Sequence, residues 1–113
     1  MTLIRWILPT CLSLMAAAPA VADTFTLAPE LWDRPRSGRA VLGEPAVSRA
    51  VNAYLARPGT RLVIHHPPGT VPVLQAEELR AWLTALAVES EHVFLRSDLE
   101  PNAMLTIEVV ARP

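Results

Sequence analysis

Hydrophobic positions recur along this chain with two different periods, and together they predict a mixed domain of helices and strands. Apolar residues at helical spacing occur at 47–55 and again at 79–86, so each segment predicts an amphipathic helix. Residues 62–64 and 93–95 are short apolar runs typical of buried strands, and residues 104–110 alternate with period two.

Turn and cap residues mark where these elements begin and end. Pro45 suits the first turn of a helix, Pro58-Gly59 ends that helix, and residues 67–69 break the strand after it. We interpret residues 39–42 as the first strand of the sheet and residues 23–38 as a short strand or extended arm followed by a loop. The fold predicted for residues 39–113 is an α+β two-layer βαβαββ sandwich, with two helices on one face of a mixed sheet.

The N-terminus reads as a secretory signal peptide spanning residues 1–22. Arg5 supplies the positive start, an apolar segment follows, and Ala20-Val21-Ala22 offers small residues for cleavage before Asp23. A membrane helix is the alternative, but prolines and an alanine-rich end argue against it. Cys11 has too much apolar sequence after it for a lipid-attachment site.

Removing the signal peptide would leave a chain without cysteine, because Cys11 is the one cysteine present. Disulfides, thiol nucleophiles and thiolate metal sites are therefore excluded from residues 23–113. After cleavage, nine arginines would stand against eleven acidic residues, spread along the chain, so the charge does not indicate nucleic-acid binding.

The residues from the predicted strand at 39–42 onward resemble the OmpA-like peptidoglycan-binding domain of the bacterial periplasm, over roughly residues 39–110. Most of the matching residues are packing positions, and they are Val51, Tyr54-Leu55, Pro58-Gly59, Leu62-Val63-Ile64, Gln75-Ala76, Leu79, Trp82-Leu83, Ala87-Val88 and Leu105-Thr106-Ile107-Glu108-Val109. The resemblance implies the two-layer fold and a periplasmic location.

The same resemblance implies a pair of ligand-binding residues that this sequence lacks. In the family, a turn aspartate and a helix arginine hold the diaminopimelate of the wall peptide. Here the shorter turn carries Pro67-Pro68-Gly69, and uncharged Gln75 stands at the arginine position. A shifted register would place Arg80-Ala81 on the family's Arg-Ala pair, at the cost of other matches.

Histidines and a basic loop are the remaining candidate sites. His65 and His66 suit a metal or acid–base role, although neighbouring residues of a strand point to opposite faces of the sheet. His92 is a candidate third metal ligand, but the sequence does not show that it lies near them. Trp32, Arg34 and Arg36 form a loop suited to an anion, a sugar or a peptide. Trp82 is interpreted as core.

We expect a non-catalytic binding or assembly module of the cell envelope, without cofactor or metal. The expected partner is a protein, contacted through the Trp32 loop or an exposed sheet edge. One alternative is peptidoglycan binding through Arg80 or a loop arginine, with Asp98 or Glu100 as the acid. A second alternative is a histidine-dependent metal protein or enzyme, although the sequence contains no catalytic motif.

Overall fold

The computed structural model describes residues 23–111, so the predicted signal peptide and Cys11 lie outside the described residues. The elements in chain order are β1 (Asp23–Thr26), a 3-10 helix (Pro29–Asp33), α1 (Gly38–Leu42), α2 (Pro45–Ala56), β2 (Arg61–His65), α3 (Thr70–Ala85), a second 3-10 helix (Ser90–His92), β3 (Val93–Arg96) and β4 (Thr106–Val110). Within this part of the chain, no helix has both the length and the apolar character needed to span a bilayer.

The four strands form one mixed sheet in the order β1-β4-β2-β3. β2 and β3 are parallel, with Leu62 opposite Val93, and α3 makes the crossover that a parallel pair requires. β4 is antiparallel to both of its neighbours, β1 and β2. The predicted α+β two-layer class is therefore confirmed.

The two faces of this sheet differ because side chains alternate along each strand. One face buries Leu62, Ile64, Ile107 and Val109 beneath α2 and α3, whose own buried residues complete the core. The opposite face presents His65, Phe94 and Glu108, among others. We call this second surface the outer face of the sheet.

The predicted strand at residues 39–42 is wrong, because these residues form the short helix α1. The Ser37 side chain caps the helix by accepting a hydrogen bond from the Ala40 N–H group at 3.1 Å. Val41 is the one buried residue of α1, so a single helical turn is enough to place the segment's buried side chain in the core. The first strand of the sheet is β1 instead, and the additional helix α1 changes the order of helices and strands to βααβαββ.

Residues 23–38 contribute to both the sheet and the core. β1 forms an edge of the sheet by pairing with β4, and the Leu27 N–H group donates to the Leu105 carbonyl at 2.9 Å. Leu27 and Leu31 are both buried in the main core. The segment that begins as a strand is thus packed against the rest of the domain.

Candidate functional site

His65 lies on the outer face between two carboxylates that come from distant parts of the sequence. Its Nδ1 atom lies 2.8 Å from Asp98 Oδ1, and its Nε2 atom lies 2.8 Å from Glu108 Oε1. β2 ends at His65, β4 supplies Glu108, and the loop after β3 supplies Asp98. The histidine side chain is only 17% exposed.

The hydrogen bonds of His65 require protons on both ring nitrogens, because ionised carboxylates can only accept. Desolvation lowers the pKa of His65, but hydrogen bonds and charge attraction from Glu108 and Asp98 outweigh it, and the pKa is raised overall. Neither nitrogen is then free to coordinate a metal or accept a proton. Within residues 23–111, no cluster of three His, Cys, Asp or Glu residues is arranged to hold a metal ion.

His66 is only 4% exposed, and its contacts are structural. Its backbone N–H group donates to the Arg96 carbonyl at 2.9 Å, and its carbonyl accepts from the Leu99 N–H group at 3.2 Å. The ring Nδ1 atom donates to the Pro67 carbonyl at 2.7 Å. His65 and His66 therefore make separate sets of contacts and do not form one site.

The outer face contains a shallow cavity of about 380 Å³ around His65. Val63 and Phe94 form part of its floor. The polar groups in its lining include those of Arg61, Arg96 and His65. Phe94 is 47% exposed, although it lies in the centre of β3. The cavity thus combines apolar surface with two guanidinium groups.

A second cavity, of about 260 Å³, brings together two of the predicted binding residues, Trp32 and Gln75. The first 3-10 helix carries Trp32, α3 carries Gln75, and the loop before β4 supplies Asn102 and Met104. Met104 is 48% exposed beside it. We call this cavity, with all its lining residues, the Trp32 hollow; they are Leu27, Pro29, Trp32, Asp33, Gln75, Asn102, Ala103, Met104 and Leu105.

Arg36 does not present a free guanidinium group beside this hollow, because Glu78 binds it through two hydrogen bonds. The Nε atom lies 2.7 Å from Oε2 and the second terminal nitrogen lies 3.0 Å from Oε1. The Trp82 indole N–H donates to the same Oε2 atom at 3.1 Å, so Trp82 is half-buried with a polar partner. The Arg36 guanidinium also lies 5.4 Å from the Trp32 ring centroid.

The electrostatics of this ion pair follow its geometry. The hydrogen bond from Arg36 lowers the pKa of Glu78, with desolvation opposing it and the Trp82 hydrogen bond adding to it. The hydrogen bond to Glu78 raises the pKa of Arg36. Arg36 therefore connects the N-terminal segment to α3 and positions Trp32. Arg34 is exposed, and its backbone carbonyl accepts a hydrogen bond from Arg36 at 2.9 Å.

Arg80 and Asp98, one of the basic and acidic pairs considered for the cell-wall ligand, lie on different sides of the sheet. Arg80 is half-buried on α3, in the helical layer. Asp98 binds His65, whose side chain belongs to the outer face. Glu100 is exposed in the following loop. The fold does not bring Arg80 and Asp98 to one ligand.

Three further hydrogen bonds, two at Tyr54 and one at Glu44, are not predicted from the sequence. The Tyr54 hydroxyl lies 2.6 Å from His92 Nδ1 and accepts from the Glu89 N–H group at 3.4 Å. Buried Glu44 accepts from the Ala28 N–H group at 3.1 Å and thereby holds the N-terminal segment against α2. No local sequence pattern indicates the Glu44 contact, because its side chain makes no cap hydrogen bond to α2 and binds a backbone group 16 residues away.

No protein-family model, curated protein or solved structure matches this chain. The fold and its surfaces define a small α+β domain that has one helix-covered sheet face, one outer face on which His65 is paired with two carboxylates, and a tryptophan-lined hollow. The OmpA-like resemblance stays a prediction from the sequence.

Proposed function

We propose that this protein is a non-catalytic binding and assembly module of the bacterial cell envelope, and that it binds an apolar segment of a protein partner at the Trp32 hollow. The observation that carries the proposal is the convergence of Trp32, Gln75 and Met104, from three separate segments, around one open cavity. Tryptophan and methionine are enriched in the centres of protein interfaces, where charged residues are depleted.

The hollow is also preorganised, which lowers the entropy cost of binding. Arg36 holds the Trp32 ring from one side, and Glu78 fixes Arg36 from α3. Leu31, the residue before Trp32, is anchored in the core. These features favour recognition of an apolar side chain, with the Gln75 amide and Asn102 supplying hydrogen bonds.

The chemistry of the other candidate residues supports a binding role over catalysis. His65 has a carboxylate on each ring nitrogen, so it lacks the free lone pair that a general base needs. Pro67-Pro68-Gly69 stand in the turn where the family has its ligand-binding aspartate. Arg80 lies in the helical layer, whereas Asp98 binds His65 on the outer face. Envelope location rests on the predicted signal peptide.

Photo-crosslinking in the native bacterium tests the proposed surface. A photoreactive amino acid at Met104 or at Gln75, which both line the hollow, should yield the same discrete adduct with one envelope protein, which mass spectrometry then identifies. The matched control is the same group at Arg49, on the exposed side of α2. Trp32→Ala should abolish the Met104 adduct. Adducts of equal yield at Arg49, or their survival in Trp32→Ala, would contradict the proposal.

A binding assay on purified peptidoglycan separates the proposal from wall binding. The wild-type protein should stay in the supernatant after the sacculi are sedimented. Retention on sacculi that is lost in Arg80→Ala would establish the alternative function and overturn this one. Cell fractionation, with the intact mass of the exported chain, tests the envelope location and the start at Asp23.

A further inference from the structure

β3 is an edge strand, and its hydrogen-bonding pattern shows which backbone groups face outward. The Arg96 carbonyl accepts from the His66 N–H group at 2.9 Å, so Arg96 directs its backbone groups towards β2. Successive residues of a strand direct these groups to alternate sides, so Leu95 directs its N–H and C=O groups to the free edge. Within residues 23–111, neither Leu95 group has a backbone partner.

We propose that a second copy of this chain pairs with this edge, β3 against β3 in antiparallel orientation, around a two-fold axis at Leu95. In this register the two Leu95 residues exchange both of their backbone hydrogen bonds. The Val93 carbonyl, which also faces outward, lies opposite Ser97 of the second copy. The interface is isologous, as two-fold dimers require.

Side-chain complementarity selects this register. With Leu95 on the axis, Phe94 of each copy lies opposite Arg96 of the other. These are non-hydrogen-bonded positions, where opposed side chains approach most closely. Phe94 is 47% exposed and Arg96 is exposed beside it, both on the outer face. Each guanidinium can then cover a phenyl ring, so the dimer contains two cation–π contacts.

Neighbouring registers lack this match. A shift of one residue would oppose side chains from different faces of the sheet, which antiparallel pairing forbids. A two-fold axis at Phe94 would place Arg96 opposite residue 92, which ends the second 3-10 helix and is not extended. Only the Leu95 register pairs both exposed residues of β3 and joins the two outer faces into one eight-stranded surface.

The inference does not depend on the proposed function, because the Trp32 hollow and the β3 edge are different surfaces. The edge strand has four residues, so the interface belongs to the small, weak class. Sedimentation equilibrium on the purified protein from about 10 µM to about 1 mM covers that range. The weight-average mass should rise from one chain to two over this interval.

Variants on the outer face test the contacts. Phe94→Ala and Arg96→Ala should each weaken dimerisation by about threefold or more, the effect expected for losing two cation–π contacts. Arg96→Lys should retain part of the affinity. The control Arg49→Ala, which also removes one exposed arginine, should leave it unchanged. A protein that stays monomeric at about 1 mM, or dimerisation insensitive to both alanine variants, would overturn the proposal.

Cysteine crosslinking tests the register directly, in a Cys11→Ser background that removes the one native cysteine. The double variant Phe94→Cys/Arg96→Cys should form a disulfide-linked dimer under mild oxidation, because directly opposed positions lie within disulfide range. Phe94→Cys alone should not, since its two copies would lie diagonally, about 7–8 Å apart. Efficient crosslinking of the single variant would refute the Leu95 axis.

Discussion

Replacing Leu31 with alanine tests whether residues 23–38 are an integral part of the folded core. Leu31 is 1% exposed and lies in the main core cluster with Leu27, although it belongs to a short 3-10 helix at the N-terminus. Truncation of a buried leucine removes its apolar contacts and leaves a cavity, with a typical loss of about 2–5 kcal/mol. Small domains have roughly 5–15 kcal/mol of stability, so the expected loss is a substantial fraction.

The measurement is urea or thermal unfolding followed by circular dichroism. A loss of about 3 kcal/mol should lower Tm by about 12–24 °C in a domain of this size. Leu55→Ala is the matched control, because Leu55 is 57% exposed on α2 and its truncation should change the free energy of unfolding by less than about 0.5 kcal/mol. If Leu31→Ala were as mild as Leu55→Ala, the N-terminal segment would not be part of the cooperative core.

Two further predictions concern the charged contacts. The raised pKa of His65 makes its stabilising contribution complete below its ordinary pKa of 6.5 and lost as pH rises through the folded-state pKa. Urea unfolding from about pH 6 to about pH 9 should therefore show a decline in stability that His65→Gln removes, and an unchanged pH profile in that variant would contradict the assignment. In a Trp82→Phe background, which leaves Trp32 as the tryptophan reporter within residues 23–111, Glu78→Gln removes the charge that binds Arg36 and should expose Trp32, with a red-shifted tryptophan emission and a smaller stability loss than Leu31→Ala. Emission identical to the wild type would show that Arg36 does not need Glu78 to hold Trp32.

The sequence predicts the elements whose hydrophobic pattern is long enough to have a clear period. α2 was expected to begin at Pro45 and does, and the run at residues 62–64 lies within β2. The pattern predicts the wrong element at 39–42, because a segment of four residues, three of them apolar, suits one helical turn as well as a strand. It also placed Leu55 on the apolar face of α2, although Leu55 lies beyond the edge of the packed stripe and is exposed.

The candidate sites were harder to predict because their partners are far apart in sequence. Asp98 and Glu108 lie 33 and 43 positions from His65, and Glu78 lies 42 positions from Arg36. The sequence identified His65, Arg36 and Trp32 as residues of interest from their chemistry alone. The sheet register and the packing of α3 are needed to show that carboxylates bind His65 and Arg36. They also show that Trp32 shares a cavity with Gln75.

The N-terminal segment connects stability with the proposed binding surface. β1 and buried Leu31 are on either side of the turn that leads to Trp32, so the hollow exists only when residues 23–38 are docked on the domain. A variant that undocks the segment would therefore abolish partner binding without touching a binding residue. Trp32→Ala should remove binding while the free energy of unfolding falls less than in Leu31→Ala, because Trp32 is half-buried at the edge of the core and Leu31 is fully inside it. The two variants together separate a recognition residue from a residue that supports it.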